Sequence, residues 1–171
     1  VTMPVRQTIK HEISLRFNPH LPSEKRRIQH KYIHPFTGEP LFEAGAVQCM
    51  ALDEIISEKM RAAALRKGIA PRDFYDLESV LRNKYNPANP QVIDLFRKKL
   101  AEDGGGTDLK KYRVNMGRTN AEIKEMRLRL KEELFDVLTK TEKENFNLDE
   151  SLKRINKAME SMIAVDDKNK E

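Results

Sequence analysis

Residues 8–17 alternate in character along the chain. Ile9, Ile13, Leu15 and Phe17 share one parity, while Lys10, Glu12, Ser14 and Arg16 take the other. Such alternation predicts a strand with one apolar and one solvated face. Asn18-Pro19 closes it, because proline has no amide to give to a ladder. A second strand is predicted around Ile28–Ile33, just after the basic stretch Lys25-Arg26-Arg27. Pro35, Gly38 and Pro40 then mark a loop, and a weak extended run follows near Leu41–Met50.

From Leu52 the period becomes helical. Ile55, Ile56, Met60, Ala63 and Ala64 form a stripe that stops at Gly68, with Asp53 as N-cap or first-turn acid. Pro71 suits the first turn of a second helix bearing Phe74, Leu77, Val80 and Leu81. Asn89-Pro90 opens a third, with Val92, Ile93, Leu95, Phe96 and Leu100 on its apolar side. Gly104-Gly105-Gly106 reads as a linker. Thr119 and Glu122 form a capping box before Ile123, Met126, Leu130, Leu134 and Val137. Asn147 opens the last helix, with Leu152, Ile155, Met159 and Met162, and a frayed end is expected over Val165–Glu171. The fold class is therefore α+β: two or three N-terminal strands, then a bundle of about five helices. The division expected is a β part over 1–51 and a helical lobe over 52–171.

Composition narrows the function. The 171 residues hold 32 Lys and Arg against 27 Asp and Glu, a formal net charge of +5. That excess admits a polyanionic partner without demanding one. It is concentrated early: residues 1–50 contain seven Lys or Arg against four Glu, and all four histidines lie between His11 and His34. The lone Cys49 excludes an intramolecular disulfide framework and fits a reducing, cytoplasmic location. No apolar run approaches the roughly 20 residues of a membrane span, and the first residues lack a signal-peptide pattern.

Candidate chemistry concentrates between Leu52 and Leu77. Lys59 sits one turn from Ile55 and Ile56, so it is either a snorkelling stem or a cation held for a ligand. Glu58 and Arg61 form an i,i+3 pair, while Glu54 and Glu58 repel at i,i+4. Asp73 and Asp76 project from one side of the second helix. Two readings stay open for them: an Asp–Arg brace between helices, or a carboxylate brought to a lysine to hold a phosphate or metal. Other constellations are weaker. His30 and His34 have metal-site spacing but lack a zincin glutamate and sit in strand-like sequence. Lys25-Arg26-Arg27, with Tyr32, Phe36 and Phe42 nearby, forms no known stacking motif and reads most simply as a solvated basic loop.

The stretches Leu-Asp-Glu-Ile-Ile-Ser-Glu-Lys-Met-Arg-Ala (52–62) and Arg-Asp-Phe-Tyr-Asp-Leu (72–77) resemble the two downstream motifs of the AbiEii-type nucleotidyltransferases. These are toxins of type IV toxin–antitoxin and phage abortive-infection systems, to which the MenT toxins are related. The Ile-Lys-His-Glu-Ile-Ser strand is similar to the last strand of that nucleotidyltransferase fold. The match covers roughly residues 8–80, whereas 81–171 carry no motif to compare.

The resemblance implies that Lys59 and Asp73 or Asp76 contact nucleotide phosphates and support the active site, with Glu12 a third carboxylate. It also implies Arg61, Arg66 and Arg72 as secondary phosphate contacts. The reaction implied is transfer of nucleotides from an NTP, with Mg²⁺, to an RNA acceptor such as tRNA, under control of a cognate antitoxin protein. The departure is in the front motifs: the chain has no Gly-Ser pair and no Asp-x-Asp, and its first aspartate is Asp53. Nucleotidyl transfer in this fold needs the first to cradle phosphates and the second to hold metal. The sequence thus reads as the C-terminal portion of such a toxin, with no metal ligand set of its own and inactive without a front half. The alternative is a non-catalytic helical module that binds protein or nucleic acid.

Overall fold

Two short strands and a helical lobe make up the computed structural model of the chain, which describes residues 18–28 and 32–169. Strand β1 (Glu24–Arg27) pairs antiparallel with β2 (Ala46–Cys49), placing Glu24 opposite Cys49 and Arg27 opposite Ala46. The pairing extends outward as an arm. Ile28 N donates to Gly45 O at 3.0 Å, Leu41 N donates to Tyr32 O at 3.0 Å, and Ile33 faces Pro40 in an isolated bridge. At the tip Gly38 N donates to His34 O at 2.9 Å, and Gly38 takes φ +72°, where a side chain would be strained.

This arm corrects the strand positions expected from the sequence. A strand lies at Glu24–Arg27, ahead of the segment expected around Ile28–Ile33. Of that segment 29–31 lie outside the described residues, while Ile28, Tyr32 and Ile33 continue the pairing. The later extended run narrows to Ala46–Cys49. Both faces of this ladder are exposed but for Cys49, so hydrophobic alternation does not set its register; the Pro35–Pro40 turn does. The strand expected over 8–17 lies outside the described residues.

Among the described residues seven α-helices follow: α1 (Leu52–Leu65), α2 (Pro71–Arg82), α3 (Pro90–Glu102), α4 (Leu109–Gly117), α5 (Asn120–Glu133), α6 (Lys140–Asn145) and α7 (Leu148–Lys168). Local chemistry sets several starts. Asn89 accepts from Gln91 N at 3.0 Å, Asn147 accepts from Asp149 N and Glu150 N, and Thr119 with Glu122 closes the expected capping box. Helices α4 and α6 were not expected. The first is only nine residues long, with Leu109, Tyr112 and Met116 as its buried side and Asp108 as its cap. The second has no buried residue and rests on a Thr139–Glu142 capping box. Neither is long enough for periodicity to stand out.

The helix after Thr119 also ends earlier than its stripe suggested. It stops at Glu133, a single 3₁₀ turn covers Phe135–Val137, and Val137 is exposed while Leu134 is buried. The C-terminal fraying expected from Val165 does not begin there. Helix α7 continues to Lys168, and its buried Asp166 pairs with Arg97 of α3.

Helix α7 packs against both α2 and α4, while α1 packs on α3 and across α2 and α4. Phe74, Phe96, Leu100, Tyr112, Met116, Met126, Met159 and Met162 form the centre of the core. Burying side chains of this kind contributes about 1.5–3 kcal/mol each. Phe96 and Tyr112 meet edge to face, with ring centroids 6.2 Å apart.

The glycine run is more than a linker. Gly105 N donates to Leu100 O at 2.8 Å, and a Cβ on Gly105 would stand 2.6 Å from the Tyr112 hydroxyl and 2.7 Å from Leu100 O. Gly106 faces open space. Urea unfolding of Gly105→Ala should therefore show a loss of about 1–3 kcal/mol, whereas Gly106→Ala should stay within about 0.5 kcal/mol of the parent.

Candidate functional site

Helices α1 and α2 are joined by the turn Arg66–Ala70. The end of α1 has no basic residue of its own in the last turn, so its free carbonyls are met from α4 and just beyond. Asn115 Nδ2 donates to Ala64 O at 3.1 Å, and the Arg118 guanidinium donates to Ala63 O. The same guanidinium lies over the Phe74 ring, 5.6 Å from its centroid. These contacts hold the hairpin closed.

Two ion pairs then cross it. Lys59 Nζ stands 2.5 Å from Asp76 Oδ2, with the two side chains 35% and 41% exposed. Farther along, Arg66 Nε lies 3.2 Å from Asp73 Oδ2, and the Asp73 side chain is nearly buried. The open choice between the two aspartates is thereby divided. Asp76 meets the lysine in a solvent-facing seam, whereas Asp73 meets an arginine as a brace between helices.

The remaining sequence candidates fall differently. Arg61 donates to Glu58 and to Asp103, so its guanidinium is occupied by two carboxylates. Arg72 is exposed at the start of α2 and makes no ion pair among the described residues. Glu12 lies outside the described residues. Of the two places expected for Asp53, the structure gives the first turn of α1; Ala51 occupies the cap position without a side-chain bond, and Asp53 accepts from the Tyr85 hydroxyl at 2.6 Å. Burial and the Asp53 carboxylate together push the Tyr85 hydroxyl pKa up.

A second polar centre lies at the other end of α1. Glu54 is fully buried and Lys99 is 5% exposed, with Lys99 Nζ 2.5 Å from Glu54 Oε1 and 3.5 Å from Glu58 Oε2. Glu54 Oε2 also accepts from His20 N and Leu21 N, each at 3.1 Å, and His20 Nε2 lies 2.7 Å from Glu102 Oε1. The Glu54–Glu58 repulsion expected from spacing is thus cancelled by one shared cation. The sequence signal for it is Lys99 itself, which falls on the apolar side of α3 one turn after Leu95 and Phe96.

Burial pushes the Glu54 carboxyl up, but Lys99 and the two amides outweigh it and hold the group below its ordinary value of 4.5. For Glu58, burial is likewise outweighed by Arg61 and then Lys99. A folded pKa below the unfolded one stabilises at pH values above the unfolded pKa and is lost as pH falls through the folded one. Thermal melts should therefore hold steady from about pH 7 to about pH 5 and drop below that. Glu58→Gln should make that drop shallower.

Among the described residues no three His, Cys, Asp or Glu side chains converge as a metal site. Asp73 and Asp76 each face a cation at hydrogen-bonding or ion-pair distance. The described residues therefore do not fit a Mg²⁺ ion.

The family model "Nucleotidyl transferase AbiEii toxin, Type IV TA system" matches residues 2–168. The chain belongs to the AbiEii family. No curated protein and no solved structure matches it. Membership makes this a protein of the nucleotidyltransferase toxins of type IV toxin–antitoxin systems, and implies a cognate antitoxin. Use of an NTP and a divalent metal belongs to the family in general. Among the described residues no helix is long and apolar enough to cross a membrane.

Proposed function

We propose that this AbiEii protein takes part in transfer of nucleotides from an NTP to an RNA acceptor such as tRNA, with the α1–α2 seam as the nucleotide-phosphate contact. The observation that carries the reading is the Lys59–Asp76 pair, 2.5 Å apart and open to solvent. A carboxylate that holds a lysine in one rotamer places a point charge where a triphosphate can reach it, and the open seam leaves the ammonium's other protons available. Arg72, exposed and without an ion pair among the described residues, supplies a second cation at the start of the same helix. Arg61 and Asp73 act as braces in this reading, not as substrate contacts.

In this reading turnover needs a Gly-Ser and an Asp-x-Asp lobe, motifs that the sequence of the chain does not contain. The test uses NTPs labelled on the α-phosphate, Mg²⁺ and a tRNA pool. The chain alone is compared with the chain joined behind the Gly-Ser and Asp-x-Asp lobe of another AbiEii protein. RNA labelling by the joined form only is the expected result. Equal labelling by the chain alone would overturn the dependence on a front lobe. Binding without transfer in both forms would favour a non-catalytic module.

A further inference from the structure

The arm that precedes the helical lobe carries an unusual surface. Phe36 at its tip is 91% exposed, Tyr32 is 65% exposed and Phe42 54% exposed. Rings exposed to this degree on one arm mark a contact surface, since water around them is unfavourable. They are ordered in pairs. The Tyr32 and Phe42 rings lie 6.0 Å apart at 32°, and His34 and Phe36 lie 5.8 Å apart at 56°. His34 also fixes the tip, because its Nδ1 accepts from Phe36 N and Thr37 N at 3.3 Å.

The base of the arm adds charge. Strand alternation places Lys25 and Arg27 on one face of β1, opposite Gln48 and Ala46. Neither makes an ion pair among the described residues, whereas Arg26, on the other face, pairs with Glu24. Glu39 and Glu43 stand on the returning half of the arm and line one cleft with Arg27 and Phe42, and among the described residues Lys25 and Arg27 are the arm's Lys or Arg side chains without an ion pair.

We propose that this arm binds single-stranded RNA, stacking bases on its exposed rings and meeting backbone phosphates with Lys25 and Arg27. The inference rests on the RNA-acceptor reading above and names the surface that receives the acceptor. Exposed aromatics beside unpaired cations are the combination that single strands recognise, because every base offers a π-face and every linkage a negative charge. A duplex hides its base faces in the stack, so it gains only the phosphate contacts. An apolar protein partner would use the rings but leave Lys25 and Arg27 without a role.

The test is fluorescence anisotropy of the full chain with a labelled single-stranded 12-nucleotide RNA and the matching duplex, without NTP. The parent should prefer the single strand. Phe36→Ala combined with Tyr32→Ala should weaken binding by about 10-fold or more, while Phe36→Tyr, which keeps a ring, should retain it. Lys25→Ala with Arg27→Ala should lower the slope of log affinity against log salt by about 1.4. Circular dichroism should be unchanged in all variants, as these side chains are solvent-facing. Strong parental binding that none of the arm variants alters would overturn the arm and leave the acceptor reading intact. No parental binding would overturn both. Loss of self-association in the ring variants, with RNA binding unchanged, would assign the arm to a protein interface and overturn the proposal.

Discussion

Lys99→Met should lower the unfolding free energy by about 3–5 kcal/mol, the usual penalty for stranding one member of a buried ion pair. For a chain of 171 residues that is a fall in Tm of roughly 6–20 °C. Methionine fills most of the lysine's volume, so the loss isolates charge from packing. Glu54 is fully buried, and without Lys99 its remaining partners among the described residues are the His20 and Leu21 amides. An unpaired buried carboxyl escapes by taking up a proton, which raises its folded pKa above the unfolded one. The sign of the linkage then reverses: such a group is least costly at pH values below the unfolded pKa and most costly above the folded one. The deficit of Lys99→Met should consequently shrink as the pH is lowered, where the parent loses stability. Replacing both residues, Glu54→Met with Lys99→Met, should recover most of the loss, because a well-packed apolar pair is often as stable as a buried ionic one. A single-variant loss under about 1 kcal/mol would mean that the pair is solvated rather than desolvated.

The contrast between what was and was not readable in the sequence follows from the range of the interactions. Asn89, Thr119 and Asn147 were correct as caps because a cap joins residues two or three apart, and that chemistry is printed in adjacent letters. The stripes of α2, α3 and α7, and that of α1 apart from the exposed Ile55, are legible because each spans several turns against one core. Helix α6 has no buried side to show a period, and the Glu24–Arg27 strand carries no sequence signal because neither face of its ladder lies on a core. Site chemistry was only partly readable. The motif spacing narrowed the partner of Lys59 to two aspartates, but which one faces it depends on how α1 crosses α2. Lys99 reaches Glu54 across 45 residues of sequence, and its one local sign was a cation on an apolar stripe.

The two aspartates of α2 also give the functional reading its sharpest separation. In the joined protein that labels RNA, Lys59→Ala should reduce transfer by about 10²–10³-fold, the scale of losing one donor to a developing phosphate charge. Its stability should change by no more than about 1 kcal/mol, since the Lys59–Asp76 pair faces solvent. Lys59→Arg should not restore full activity, because a planar fork cannot occupy the position of a compact ammonium against Asp76. Asp76→Asn should act in the same direction through Lys59, raising KM for the NTP more than it lowers kcat, since the cation survives but is no longer held. Asp73→Asn should behave oppositely. Its carboxylate is nearly buried against Arg66, so the loss should appear in the melting temperature, with KM and kcat close to the parent under conditions where the variant is folded. Kinetic assays beside thermal melts of the four variants distinguish the assignments. If Lys59→Ala loses stability in proportion to activity, or if Asp73→Asn proves the more damaging to KM, the lysine is a brace and the phosphate contact must be sought elsewhere on α2. A loss of transfer in Lys59→Ala with an unchanged melt leaves the exposed ammonium itself as the cause.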